Sequence, residues 1–550
     1  MNKKLPLISL FIMSIISIFY WVLKPKEELY EAKWNAPDTT LAITINGEIS
    51  TTFPTTNAYI GTVECTTGTG KVEWNGTKWA LTTSGITKGS TKCNVIFKQT
   101  LKQSILANNE VKTSLTTPGK EVSAYTLNDI TDTFTANVGS TYQAYYITYG
   151  TGWEANGTKF NLTGTAVTSD TYANSYSSLV GKYLPNESLY SAGSSTAGEM
   201  KSTTNLSDIF YVVSATSSSF TYKPISSNKN TTEALLASTE DDYGTSYYFR
   251  GAVRNNYVQF ANKCWRIVRI VGDGSVKLVL HNDNTSGASN PCSSANNSVA
   301  AAFAHYSDTI YVVGNTYTSA FNSGKSDNAY IGFMYGASYA SDYASTHANT
   351  NKSTILTNLE TWYTKNLTLY EDKLADTIWC NDKSTFTTYT SGSTYGNGLG
   401  YGKNQTGYGA YNRIYGGDHV LYASPSLICP NDNNGGKLSK FTVSDTTNGN
   451  GNLTYKIGLL TADEIVFAGH ANYRCNAANY LQENAGDYWW SLSPYIFSGY
   501  GAFVWLVYDR GYLVYSEVSN SRGVRPAISL VSDITISGGS GTSDDPYVVN

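Results

Sequence analysis

The sequence predicts a multidomain chain: an N-terminal membrane helix, then small all-β modules, then a C-terminal α+β domain. Three observations predict it. Leu5 to Leu23 is a run of nineteen residues without a charge. An Asn-Gly hairpin unit occurs twice, 81 residues apart. From about residue 240 the texture changes, and apolar residues at helical spacing appear among the strands.

At 550 residues the chain exceeds what one hydrophobic core serves. Charged residues are 15% and the formal net charge is -4, so no basic surface points to nucleic acid. Aromatics reach 13%, led by 44 Tyr, while His is 5 and Met is 4. With Thr, Ser, Asn and Gly filling the rest, this is the profile of an extracellular β-rich protein. The 41% hydrophobic content is enough to build cores rather than disorder.

The Leu5–Leu23 run is long enough to span a bilayer as a helix. Lys3 and Lys4 in front of it favour an N-terminus inside and the bulk outside. Its end, Tyr20-Trp21-Val22-Leu23-Lys24-Pro25-Lys26, places aromatics at a membrane edge and lacks a small-residue cleavage pattern. The expectation is a single-pass anchor over 1–38, stalk included. The alternative is secretion after signal cleavage. Either route exports the remaining chain and permits disulfides.

Residues 39–105 form the first expected β module. Leu41-Ala42-Ile43-Thr44-Ile45 alternates, and Val95-Ile96-Phe97 is a short apolar run. Trp74-Asn75-Gly76-Thr77-Lys78-Trp79-Ala80-Leu81-Thr82 predicts a hairpin with positive φ at both Asn and Gly. Ala155-Asn156-Gly157-Thr158-Lys159-Phe160-Asn161-Leu162-Thr163 repeats it, so 120–235 is expected to be a second β-sandwich-like module with a connector.

The third domain is expected over 240–550. Trp265 to Ile270, Gly272-Asp273-Gly274 and Val276 to Leu280 read as a hairpin. Ile355, Leu356, Leu359, Trp362 and Tyr363 lie at helical spacing. Thr461-Ala462-Asp463-Glu464 is a capping box, and Gly469 is a natural stop. Gly523 to Leu530 reads as one ordinary strand.

Seven cysteines are present. Cys65 and Cys93 flank the first Asn-Gly hairpin. Their counterparts in the second copy are Ile147, allowing one gap, and Asn174. Both are missing together, as expected of partners. A bridge there would stabilise by roughly 3–4 kcal/mol; two free thiols are the alternative. Cys264–Cys292 and Cys380–Cys429 follow on order alone, leaving Cys475 odd.

No catalytic or metal site emerges. The histidines 281, 305, 347, 419 and 470 show no H-x-x-H spacing, and Gly416-Gly417-Asp418-His419 reads as a loop. Gly396 to Gly402 lacks the Lys of a phosphate loop. Asn282-Asp283-Asn284 and Asn431-Asp432-Asn433-Asn434 carry oxygen ligands, but neither matches an EF-hand loop. No cofactor is expected, with calcium at these loops as the alternative.

Between Trp490-Ser491-Leu492-Ser493-Pro494 and Gly523-Val524-Arg525-Pro526 lies an aromatic stretch, Tyr495 to Arg522. Tyr gives large contact area at low entropic cost, so the composition suits recognition. The candidate ligand-binding residues are Tyr500, Phe503, Tyr508, Asp509, Arg510, Tyr512, Tyr515, Ser519 and Arg522. Asp509-Arg510-Gly511 reads as a hairpin tip presenting Tyr508, Arg510, Tyr512 and Tyr515 on one side. Trp489, Trp490 and Arg525 are expected to be structural, Arg525 pairing with a carboxylate or backbone carbonyls.

These two blocks, with Tyr247-Tyr248-Phe249-Arg250-Gly251, Cys264 to Arg269 and Ile457 to Glu464, resemble a C-terminal domain of surface proteins of Gram-positive gut bacteria. The resemblance covers about 240–550. Its aromatic Trp-Ser segment and terminal Val-Arg strand are similar to the formylglycine-generating-enzyme branch of the C-type-lectin-like fold. That implies a C-type-lectin-like head whose first and last strands lie together. The paired catalytic cysteines of the formylglycine-generating enzymes have no match here. Some lectin-like proteins of this branch are diversified by retroelements, and Tyr495–Arg522 occupies the equivalent place. Glu517 departs from what mutation of Asn codons supplies.

The expected function is an extracellular adhesin or receptor, its partner a glycan, host protein or phage surface. The alternatives are a cell-surface enzyme acting on glycans and a purely structural envelope protein.

Overall fold

The computed structural model describes residues 40–87, 91–112, 234–306, 317–389, 392–415, 424–433, 436–470, 479–509 and 511–549, with short elements between 134 and 225. Leu5–Leu23, the second Asn-Gly unit, Ile147, Asn174, His419, Asn434, Cys475 and Arg510 lie outside the described residues. The protein is mostly β-sheet with few helices. Among the described residues no helix is long and apolar enough to cross a membrane. Two compact units emerge: Met1–Asn108 with Thr535–Ser537, and Asn109–Ile534 with Gly538–Asn550.

The first unit contains β1 (Thr40–Ile45), β2 (Glu48–Ser50), β3 (Tyr59–Cys65), β4 (Thr69–Trp74), β5 (Trp79–Ser84), β6 (Lys92–Gln99) and α1 (Leu101–Asn108). One sheet runs β2-β1-β6-β3, with β1 and β6 parallel and the other pairs antiparallel. β4 and β5 form a separate hairpin. Ile43, Val72, Trp79, Leu81, Val95 and Phe97 make the core between them.

The hairpin loop works differently from the expectation. Only Gly76 takes positive φ, at 102°. Asn75 contributes through its side chain instead: Oδ1 accepts from Thr77 N at 3.1 Å and Lys78 N at 2.9 Å. The loop is therefore a four-residue Asx-type turn, in which the side chain mimics a backbone acceptor. Cys65 and Cys93 are direct partners in the β3–β6 register and form a disulfide with Cα atoms 4.1 Å apart.

In the second unit, Phe134–Asn137, Tyr183–Pro185, Ile209–Ala215 and Ser219–Ile225 build one four-stranded sheet. Beyond it come β7 (Leu235–Asp241), β8 (Gly244–Arg250), β9 (Tyr257–Phe260), β10 (Lys263–Ile270) and β11 (Val276–Asn282). β10 and β11 are antiparallel around the Gly272–Gly274 turn and buried along their whole lengths. Both faces of this sheet are therefore covered. β8 and β9 share the other edge of β10.

Later elements are β12 (Thr318–Ala320), α2 (Thr354–Asn366), β13 (Thr385–Phe386), β14 (Thr406–Tyr408), α3 (Gly409–Tyr415) and α4 (Ala462–Phe467). α2 buries Ile355, Leu356, Leu359, Trp362 and Tyr363, with Ser353 capping Leu356 N at 3.3 Å. α4 opens with the full Thr461/Glu464 capping box. Both helices follow their local sequence signals.

The chain then makes β15 (Trp489–Phe497), β16 (Ala502–Val507), β17 (Leu513–Glu517), β18 (Ser521–Gly523), β19 (Ala527–Leu530) and β20 (Tyr547–Val549). β15, β16 and β17 are an antiparallel meander, with the β15–β16 register shifting on either side of Pro494. Gly523 to Leu530 is not one strand. β18 belongs to the meander's sheet, beside β12 and β15, whereas β19 pairs β11 in the other sheet. Val524-Arg525-Pro526 is the crossover. The β10 and β19 segments thus share one sheet, with β11 between them, and β20 adds to the same sheet beside β9. Cys264–Cys292 and Cys380–Cys429 are both bridged.

In the first unit β3 and β4 pack closely. A Cβ at Gly61 would lie 2.5 Å from Val72 Cγ1, and one at Gly70 would lie 2.4 Å from Val63 Cγ1. Overpacking such a contact costs about 1–3 kcal/mol. Gly61→Val should therefore lower the denaturation midpoint of this unit, read by urea titration of tryptophan fluorescence. An unchanged midpoint for Gly61→Val would show that the strands separate freely.

Candidate functional site

The β15–β16–β17 meander carries the aromatic residues, and its register decides where they point. Phe503 faces Glu517, Trp505 faces Tyr515, and Val507 faces Leu513. Val504 faces Ser516 and Leu506 faces Val514 on the opposite side. Side chains alternate along a strand. Tyr508 and Tyr512 continue the second set, three positions out of step with Tyr515. The single surface expected from sequence is therefore two surfaces.

On the first face Tyr515 stacks on Tyr495 with ring centroids 4.1 Å apart. Phe503 meets it edge-on at 5.8 Å. Beneath lie Trp505 and Tyr411, 4.7 and 4.3 Å from Tyr495. Trp505, Tyr495 and Tyr411 are buried, while Tyr515 keeps 47% exposure. Tyr515 is thus the outer layer of an aromatic core more than a free recognition group.

The second face surrounds the hairpin tip. Tyr508 N donates to Tyr512 O at 2.7 Å, and Gly511 N donates to Tyr508 O at 2.8 Å. Gly511 has φ of 82°, which explains a glycine there. Tyr508 and Tyr512 lie parallel, 5.9 Å apart. Tyr488 meets Tyr508 edge-on at 4.5 Å, and the Arg522 guanidinium sits 4.7 Å from the Tyr488 ring centroid. Burial and the Tyr508 hydroxyl, then the Asp509 charge, push the Tyr488 phenol up to about 12, against Arg522. Tyr508, Asp509, Tyr512 and Arg522 are all half-buried. Asp509 Oδ1 and Arg522 Nε are covered and have no hydrogen-bond partner among the described residues. Such atoms cost about 1–3 kcal/mol each and call for an explanation.

The tip is held from below. Gln482 Nε2 donates to Asp509 O at 2.6 Å, and His470 Nδ1 lies 2.7 Å from Gly511 O. Both side chains are buried. His470 Nε2 in turn lies 3.0 Å from Asn479 Oδ1.

The remaining residues of the expected site lie elsewhere. Tyr500 tips the opposite turn and is 89% exposed. Ser519 bonds Glu517 at 2.8 Å, which pairs with Lys325 at 2.7 Å. Tyr488 was outside the expected site. It precedes the Trp-Trp strand, and its proximity to Tyr508 depends on how β15 pairs β16. Trp489, Trp490 and Arg525 are fully buried. Arg525 pairs with carbonyls: Nε donates to Leu280 O at 2.8 Å and a terminal nitrogen donates to Leu481 O.

A second polar site is a small cleft walled by the Cys380–Cys429 bridge. Glu464 accepts from Lys277 at 2.8 Å and Arg269 at 3.0 Å, and Arg269 also pairs with Asp241. Arg413 bridges Asp382 at 2.7 Å and Asp463 at 2.9 Å. These carboxylates are neutralised by cations that are themselves largely buried, an arrangement that ties α4 to β10 and β11. Among the described residues no group of three or more His, Cys, Asp or Glu is placed to hold a metal ion. Asp283 in the Asn282–Asn284 loop is occupied by Lys263 and Trp362 Nε1.

No family model matches the chain, and no curated protein or solved structure matches it either.

Glu464 carries a test of the ionic cluster. Burial pushes its carboxyl up, but Lys277 and Arg269 outweigh that and hold it down to about 2, from 4.5. A depressed folded-state value means the stabilisation is complete above pH 4.5 and is lost as pH falls towards 2. Glu464→Gln should cost about 3–5 kcal/mol near neutrality, because it strands buried cations. It should also flatten the acid limb of a plot of stability against pH. A variant as stable as the parent would remove the cluster from the fold's support.

Proposed function

We propose that this is a membrane-anchored extracellular ligand-binding protein, an adhesin or receptor, with a C-type-lectin-like head. Its ligand face is the hairpin tip: Tyr488, Tyr508 and Tyr512 with Asp509 and Arg522. The observation that carries the reading is the convergence of three tyrosines, a carboxylate and a guanidinium on a turn clamped from beneath by Gln482 and His470. Binding energy concentrates in Tyr and Arg, and a preformed patch loses little ordering entropy. The anchor assignment rests on Leu5–Leu23, and the three disulfides suit an oxidising exterior. The lectin-like assignment draws support from early and late strands sharing one sheet. A glycan, a host protein or a phage surface would each suit a mixed aromatic and charged face. Glycan cleavage is disfavoured because the carboxylates of the cleft are engaged by Arg and Lys.

The test uses two double variants. Tyr508→Ala with Tyr512→Ala should weaken binding to an arrayed panel of glycans and extracellular proteins by roughly tenfold or more. Its melting temperature should stay close to the parent's. Phe503→Ala with Tyr515→Ala, on the other face, should keep the binding and lose some stability. The reverse pattern would move the site to the Tyr515 face, and full binding by both variants would remove it from the meander.

A further inference from the structure

The head contains a buried lysine that the ligand face and the ionic cluster do not use. Lys383 is fully buried and makes no salt bridge among the described residues. Its amine donates to Met334 O at 2.9 Å and lies against Asn349 Oδ1. The Phe441 ring covers it, with Nζ 5.2 Å from the ring centroid. The backbone around it is pinned: Lys383 N donates to Ser439 Oγ at 2.8 Å, and Tyr343 Oη donates to Lys383 O at 2.6 Å.

Asn349 is equally constrained. It is 3% exposed and has φ of 56°, an uncommon value for a residue other than glycine. Its Nδ2 donates to Leu438 O at 2.8 Å. Leu438 N donates to Asp432 Oδ2 at 2.9 Å, and Asp432 is also buried. One residue's backbone therefore holds both the amide nitrogen of Asn349 and the carboxyl of Asp432. An amine and an amide meet in a dry, aromatic-walled space, with a buried carboxyl near enough for its charge to act on the amine.

We propose that Lys383 and Asn349 are joined by an intramolecular isopeptide bond, with Asp432 carrying the proton. The electrophilic carbon, Cγ of Asn349, is one bond beyond the oxygen that Lys383 already touches. The Lys383 nitrogen lone pair attacks that carbon, and the carbonyl electrons move onto Oδ1. A proton passes from the attacking nitrogen through the Asp432 carboxyl to Nδ2. The tetrahedral centre then collapses, the Cγ–Nδ2 bond breaks, and ammonia leaves. One amine and one primary amide become one secondary amide and one ammonia, so no oxidant or reductant is needed. The nucleophile must be the neutral amine. Burial pushes the Lys383 ammonium down to about 7, with Asp432 opposing, so a large share of the neutral form is present near neutrality. Fixed orientation supplies the rest, because aligned groups in contact react as if at very high concentration.

The bond would close a loop of 34 residues around α2 and, unlike the neighbouring Cys380–Cys429 bridge, would survive reduction. That suits a head exposed to proteases and variable redox conditions.

The experiment is a peptide map of the full chain after reduction and trypsin digestion, read by tandem mass spectrometry. The expected result is no cleavage after Lys383. The peptides carrying Asn349 and Lys383 should appear as one branched species, lighter than their sum by one ammonia. Separate recovery of both peptides at their sequence masses, with cleavage after Lys383, overturns the proposal. Asp432→Ala should return both peptides to their unlinked masses. A linked Asp432→Ala chain would overturn its role in proton transfer. If that variant does not accumulate, the parent protein's map alone decides the cross-link.

Discussion

The second unit depends on one buried cation at the place where the chain changes sheets. The β11–β19 ladder runs to Val279 opposite Ala527, and Leu280 N then donates to Pro526 O at 2.9 Å. A hydrogen-bonded antiparallel pair normally returns the second bond. Proline has no N–H to return it. Arg525 supplies the missing donor through Nε, 2.8 Å from Leu280 O, and reaches Leu481 O with a terminal nitrogen. Its guanidinium lies 5.1 Å from the Trp489 ring centroid. One side chain thereby ties the end of the first sheet, the 479–485 segment and the first residue of the meander.

The meander inherits its position from that joint. Trp489 and Trp490 are buried at its base, and Trp490 Nε1 donates to Ser319 O at 2.8 Å. The 479–485 segment also provides Gln482, which holds the Asp509 carbonyl, and Asn479, which orients His470 beneath Gly511. The same segment thus meets Arg525 at one residue and the hairpin tip at another. The tip is held by these interior hydrogen bonds as well as by the turn's own two backbone bonds. A surface held in this way can keep tyrosines partly exposed at a low entropic cost to binding.

Local features were legible in the sequence. α2 buries the five residues whose spacing suggests a helix, α4 starts at its capping box, and Asn75-Gly76 marks a turn. The Cys65–Cys93 bridge was expected from the joint absence of both cysteines around the second Asn-Gly unit, and order sufficed for Cys264–Cys292 and Cys380–Cys429. Each of these signals sits within a short stretch of chain. What was not legible depends on partners distant in sequence. Tyr515 and Tyr508 look equivalent in sequence, yet the register sends them to opposite faces. Gly523 to Leu530 has the composition of a strand, but Pro526 divides it between two sheets. Tyr488 joins the tip only because β15 pairs β16. The positive φ expected at Asn75 was replaced by a side-chain acceptor that composition alone does not distinguish.

Through the joint at Arg525 the interior of the protein preforms the tyrosine tip as a rigid surface. Hydrogen exchange of backbone amides tests it most directly, on the parent chain and on Arg525→Lys. In the parent the Tyr508 and Gly511 amides should be protected as strongly as those of β16. In the lysine variant, which keeps the charge but loses the forked geometry, protection should fall together at the tip, in β15 and around Leu280. Tip amides that exchange at loop rates in the parent would contradict the account.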